Sequence, residues 1–206
     1  AAVVIKELLG PEFTGVVTSD RAKTYHWIHR HQWCWAHLKR DFEKMVLRGG
    51  QSAIIGQGLL ACTQRLFHHW HRVRDGTISR RAFNGLMTRL QSDVRQLLTT
   101  GSACAHHGTA ATCRELLTYE SNLWRFVYCT DVEPTNNAAE RSLRHAVIWK
   151  HLSFGTQSAH GSRFVETILT VVETCHRQSR HSFDYLTAAV KAHFAGQPTP
   201  SLLTRV

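Results

Sequence analysis

The sequence predicts a helix-dominated α/β chain, with a small strand-bearing portion at the front and helices over most of the remainder. Three observations predict it. Apolar residues recur at helical spacing through most of the 206 residues, two short β-branched or aromatic runs stand near the start, and only four prolines interrupt the whole. At 43% apolar residues, the length suits one domain, or one domain with a large insertion. The composition excludes a disordered tail, a disulfide miniprotein and a low-complexity fibre. No apolar run approaches the roughly 20 residues that cross a bilayer, and no signal-peptide pattern is present, so no membrane partner is expected. The opening Ala1-Ala2-Val3-Val4 reads as the start of a piece of something longer.

Residues 2–9 read as the end of a helix stopped by Gly10-Pro11. Gly15–Asp20 is a β-branched run ending in an acid, which predicts a buried strand. A short helix over 21–30 and a second strand over His31–Trp35 follow. From Leu38 the period becomes helical: Leu38, Phe42, Met45 and Val46 share one face, while Arg40, Lys44 and Arg48 form a basic stripe on another. Gly49-Gly50 breaks or bends this element. Further helices are expected over 53–74, between Thr77 and Gly101, over 110–128, over 162–177 and over 183–194, with a Gly/Ser/His-rich loop at 101–109. Two or three strands do not make a sheet that stands alone, so part of the sheet is expected to lie outside these residues.

Charge narrows the choice of partner. There are 25 Lys+Arg against 15 Asp+Glu, a formal +10. Residues 21–95 hold 14 basic and four acidic residues, whereas the rest of the chain holds 11 of each. Segregated positive charge points to a polyanion such as nucleic acid, which gains affinity by releasing counterions. The six cysteines, at 34, 62, 104, 113, 129 and 175, follow no repeated spacing and read as reduced, mostly buried thiols.

Three constellations carry possible chemistry. Asp20, at the carboxyl end of a strand, sits where α/β sheets place catalytic groups, although Ser-Asp before a helix is also a good cap. In Pro134–Arg144, Pro134 ends one element and Thr135 or Asn136 can cap the next. Asn136, Glu140 and Arg144 then share a face at i, i+4 and i+8. An amide, a carboxylate and a guanidinium together suit a metal-and-phosphate site; an ordinary solvated Glu–Arg pair is the other reading. Cys34-Trp35-Ala36-His37 is half of a zinc site without a matching second half, and packing around the two tryptophans explains it better.

Ser19-Asp20-x4-Tyr25, Cys34-Trp35-Ala36-His37-x2-Arg40-x-Phe42 and Pro134-x-Asn136-Asn137-x2-Glu140-Arg141-x-Leu143-Arg144 occur in that order. Together they resemble the DDE transposases of the insertion-sequence-66 group. The resemblance spans about 20–155. It implies a partial RNase H-like core interrupted by an all-α insertion, in an enzyme that cuts and joins DNA strands with two Mg2+ or Mn2+ ions. By motif match, Asp20 corresponds to the second catalytic and metal-binding acid and Glu140 to the third. The first acid belongs on a strand before this chain's start, so the chain alone is expected to be inactive. Thr135 departs from the acid that members often carry there.

Residues 1–43 are then expected to be core, 44–128 the helical insertion, basic in its first half, and 129–206 the C-terminal part of the core. Arg40, Lys44, Arg48, Asn136, Asn137, Arg141 and Arg144 are the candidate DNA contacts, with Cys34 and His37 structural. The implied partners are transposon-end and target DNA, with a homo-oligomer on DNA possible, in the bacterial cytoplasm at the nucleoid. Two further readings stay open: a non-catalytic DNA-binding remnant or regulator of the transposase, and a zinc-stabilised helical regulator.

Overall fold

The computed structural model describes residues 2–203, which divide into two compact units between Asn137 and Ala138. Helix dominates both, and the described strands are two. Among the described residues no helix is long and apolar enough to cross a membrane.

The first unit opens with α1 (Ala2–Leu9), which ends at Gly10 in the left-handed region. Strand β1 (Val17–Ser19) pairs in parallel with β2 (His31–Trp33), Val17 opposite His31 and Ser19 opposite Trp33. The short helix expected over 21–30 is reduced to one 3-10 turn, Lys23–Tyr25. The connection between Ser19 and His31 falls short of the roughly dozen residues that a helical crossover takes. The chain also turns at once, because Asp20 Oδ1 accepts the Ala22 N–H at 3.1 Å.

Strand β2 ends at Trp33, two residues earlier than expected, and Trp35 already belongs to α2 (Trp35–Leu47). Trp35, Leu38, Phe42 and Met45 are the buried face of that helix. Gly49 and Gly50, both at positive φ, reverse the chain into α3 (Gly50–Arg74). The two helices approach closely at Gly56, where an added Cβ would stand 2.8 Å from the Phe42 carbonyl. Helix α4 (Arg80–Ser102) starts from Ser79, whose Oγ accepts the Ala82 N–H. Helix α5 (His107–Thr118) starts from His106, whose Nδ1 accepts the Thr109 N–H. The loop expected over 101–109 therefore shrinks to residues 103–106.

The helix expected over 110–128 is broken. After α5 come a 3-10 turn, Glu120–Leu123, and the short α6 (Arg125–Tyr128). The cause is side chains from β2 and α2 that take the backbone groups a continuous helix would use. Gln32 Nε2 and Trp35 Nε1 both donate to the Leu123 carbonyl, at 3.2 and 2.8 Å, and Gln32 Oε1 accepts the Phe126 N–H at 3.0 Å. Around them lies one aromatic core: Trp35 tilts against Trp124, and Trp70 meets Phe83 and Phe126 edge-on.

The second unit holds α7 (Asn137–Ser153), α8 (Ala159–Arg177) and α9 (Ser182–Phe194). Ser158 caps α8 by accepting the Gly161 N–H. Tyr185 Oη donates to the Pro200 carbonyl and Gln178 Nε2 to that of Leu202, which folds the tail onto α8 and α9. All six cysteines are free, five of them buried. Burial, helped by the neighbouring Cys104, pushes the Cys113 thiol up to about 11, which leaves it unreactive.

Candidate functional site

Asp20 follows the buried Ser19 at the carboxyl end of β1 and is itself half-buried. Ser19 Oγ donates to the Asp20 carbonyl at 2.8 Å, so its contact with His31 Nε2, also 2.8 Å, has the imidazole N–H as donor. His31 is 1% exposed. Burial, with His26 adding to it and Asp20 opposing, lowers its pKa to about 4. A neutral histidine thus pins the backbone from which the Asp20 carboxylate projects.

That carboxylate accepts the Ala22 N–H and enters no ion pair among the described residues. Its neighbours differ. Arg21 pairs with Asp41 at 2.6 Å and with Glu115, and its guanidinium lies over the Trp33 ring. Asp41 also takes Lys44. Asp20 is therefore the acid at the strand ends whose oxygens no cation already occupies, which is the chemistry a hard divalent ion needs.

The Ser19-Asp20 segment, the Cys34-Trp35 junction and the Pro134 end of the third constellation are joined in this unit through two backbone bonds. The Cys34 N–H donates to the Ser19 carbonyl at 2.8 Å, and the Trp35 N–H to the buried Pro134 carbonyl at 2.9 Å. Cys34 is buried at the strand–helix junction and His37 is half-buried in the first turn of α2. Among the described residues no group of three or more His, Cys, Asp or Glu side chains could hold a metal ion. Asn136, expected as a cap, has Oδ1 buried without a hydrogen-bond partner. Asn137 opens α7.

In the second unit Glu140 lies half-buried in the first turn of α7, where a carboxylate also suits the helix dipole. Arg141 and Arg144 are exposed on the same helix. The basic stripe of α2, in the first unit, is divided. Arg40 is exposed and enters no ion pair among the described residues, Lys44 reaches Asp41 at 3.2 Å, and Arg48 donates to Thr109 Oγ1 at 2.9 Å.

Sequence reasoning missed four residues that build the site's surroundings: Arg21, His31, Gln32 and Arg80. Arg80 donates to the carbonyls of Phe126, Val127 and Cys129 and so closes α6. Each acts on a group a dozen or more residues away in sequence, and spacing carries no signal for that.

A family model described as Transposase IS66 family matches residues 1–163. The chain belongs to the IS66 transposase family. A curated relative, "Uncharacterized protein y4qI" from Sinorhizobium fredii (strain NBRC 101917 / NGR234), is 26% identical over 175 residues, covering 82% of this chain and 32% of its own length. The chain thus spans about a third of that relative. No solved structure matches it. The matched residues include the segments holding Asp20, Cys34–His37 and Glu140.

Proposed function

We propose that the chain is the DNA-binding and partly catalytic segment of a transposase, with Asp20 and Glu140 as two of its three metal-holding acids. The observation that carries this is Asp20 itself: a carboxylate at the end of a half-buried parallel strand, clear of the cations that occupy Asp41 and Glu115. The bond from Trp35 to Pro134 supports it, because it anchors the Asn136-Asn137 loop beside the segment that follows β2. In this reading residues 1–43 and 129–206 belong to an RNase H-like core, and 44–128 form its helical insertion.

Asp20 and Glu140 would hold Mg2+ or Mn2+, which when bound activates the attacking oxygen and stabilises the leaving oxygen of a phosphodiester. The chain's own residues do the rest. Ser19 and His31 fix the backbone at Asp20, Arg40 offers an uncommitted charge to DNA phosphates, and Arg141 and Arg144 do the same on the Glu140 helix. Lys44 and Arg48 reach DNA only by giving up their partners Asp41 and Thr109.

The test combines duplex binding with cleavage. The full chain binds duplex DNA in a salt-sensitive way, weakened by Arg40→Gln, and shows no Mg2+-dependent cleavage without a third acid. Salt-independent or absent binding would overturn the DNA reading. Mg2+-dependent cleavage by the full chain would overturn the reading that a third acid is required.

A further inference from the structure

Helices α7 and α8 turn polar faces toward each other within the second unit. Arg141 and His145 are spaced i, i+4 on α7, with Ser142 beside them; Glu173, His176 and Arg177 are spaced i, i+3, i+4 on α8. With Ala138 they line a cleft of about 320 Å³. Two guanidinium and two imidazole groups therefore converge on one space. Among the described residues Glu173 is the acid that lines it, and Glu173 Oε1 already accepts from His145 Nδ1 at 2.7 Å. Arg177 donates to Ser142 Oγ, and neither arginine forms an ion pair within 4 Å among the described residues.

We propose that the cleft between α7 and α8 is a phosphate-binding site, with Arg141 and Arg177 as the charged donors, and Ser142 and His176 as further donors. Guanidinium forks match the oxygens of a phosphate group and gather where planar, paired donation is needed. Cations crowded into one cleft repel each other, and an anion between them relieves that repulsion. Glu173 is the lining group that opposes an anion. The hydrogen bond from His145 holds its carboxyl below the ordinary range; desolvation opposes it, and the neighbouring His145, His176 and Arg177 add to the lowering. It therefore stays ionised and offsets part of the cleft's positive charge. The site takes only Arg141 from the DNA reading above and neither of the two acids, so it stands or falls separately.

Two sources offer this chemistry, a nucleic-acid backbone and a free phosphate species, and one experiment separates them. The full chain is titrated with inorganic phosphate, followed by 31P line broadening, and then with a mixed-sequence duplex as competitor. Arg141→Gln with Arg177→Gln weakens phosphate binding about tenfold or more, whereas Lys150→Gln, elsewhere on α7, leaves it unchanged. Glu173→Gln strengthens binding several-fold, which a purely structural carboxylate would not do. Displacement by the duplex assigns the site to DNA, and retention assigns it to a free phosphate species. Absence of phosphate binding overturns the proposal. So does binding that ignores the double arginine variant when its thermal melt matches the wild type, or binding that weakens in Glu173→Gln.

Discussion

The backbone N–H of Trp35 donates to the carbonyl of Pro134 at 2.9 Å, joining the first residue of α2 to the segment that leads into α7. Cys34, one residue earlier, donates to Ser19. Three stretches far apart in sequence are thereby tied at one point of the first unit, by backbone groups whose burial makes them costly to leave unpaired. The candidate acid of β1 stands at that knot.

Freeing the Pro134 segment is expected to loosen it without dissolving the core. Pro134→Gly enlarges the backbone freedom of the unfolded chain and should cost about 1 kcal/mol. Limited proteolysis should show faster cleavage near 130–137, while urea melts shift only slightly.

Gln32 is fully buried and makes three hydrogen bonds, to Trp33, Leu123 and Phe126. Gln32→Leu removes them and leaves the Phe126 N–H without its acceptor, at a cost of about 2–3 kcal/mol. Urea denaturation measures that loss directly. A variant as stable as the wild type would mean that the break in the helix after Thr118 does not depend on this side chain.

His31 makes stability depend on pH. Its folded value of about 4 lies below the ordinary histidine value of 6.5, so between the two the unfolded chain binds a proton that the folded chain refuses. Stability is full above pH 6.5 and is lost as pH falls toward 4, by at most about 3 kcal/mol. His31→Gln should flatten this part of the stability–pH curve relative to wild type. A wild-type curve with no slope there that is specific to His31 would contradict the burial of a neutral ring.

Two glycines in neighbouring helices should respond in opposite directions. At Gly56 a new methyl meets the Phe42 carbonyl and the Met45 Cβ within 2.9 Å, whereas at Gly85, on α4, it meets nothing within 4 Å. Gly56→Ala forces α2 and α3 apart and should cost about 1–3 kcal/mol. Gly85→Ala should stabilise by about 0.5–1 kcal/mol, because alanine loses less backbone freedom in a helix. Thermal melts of the two variants decide it.

Much of this architecture was legible in the residues. Leu38, Phe42 and Met45 announced α2, Phe83 to Leu98 announced α4, and Gly49-Gly50 announced the reversal between α2 and α3, since periodicity and punctuation are local. What failed was settled at a distance. The helix expected over 110–128 breaks because Gln32 and Trp35 capture Leu123 and Phe126. Gly101, expected in a loop, lies inside α4, where any larger residue would strike the Cys113 sulfur and Ile55. At the site, Asp20 could be picked out by its place after a β-branched run. The status of its neighbours could not, because the pairing of Arg21 with Asp41 and Glu115 depends on how α2 and α5 pack.

Mn2+ binding by the full chain tests the central assignment of Asp20 and Glu140 most directly. Wild type, Asp20→Asn, Glu140→Gln and the double variant are titrated with Mn2+ and followed by the electron paramagnetic resonance of the free ion. If the two acids share a metal, each single variant loses about tenfold or more in affinity and the double variant loses little beyond that, since neighbours in one site are not additive. Unchanged Mn2+ affinity in either single variant would contradict the account.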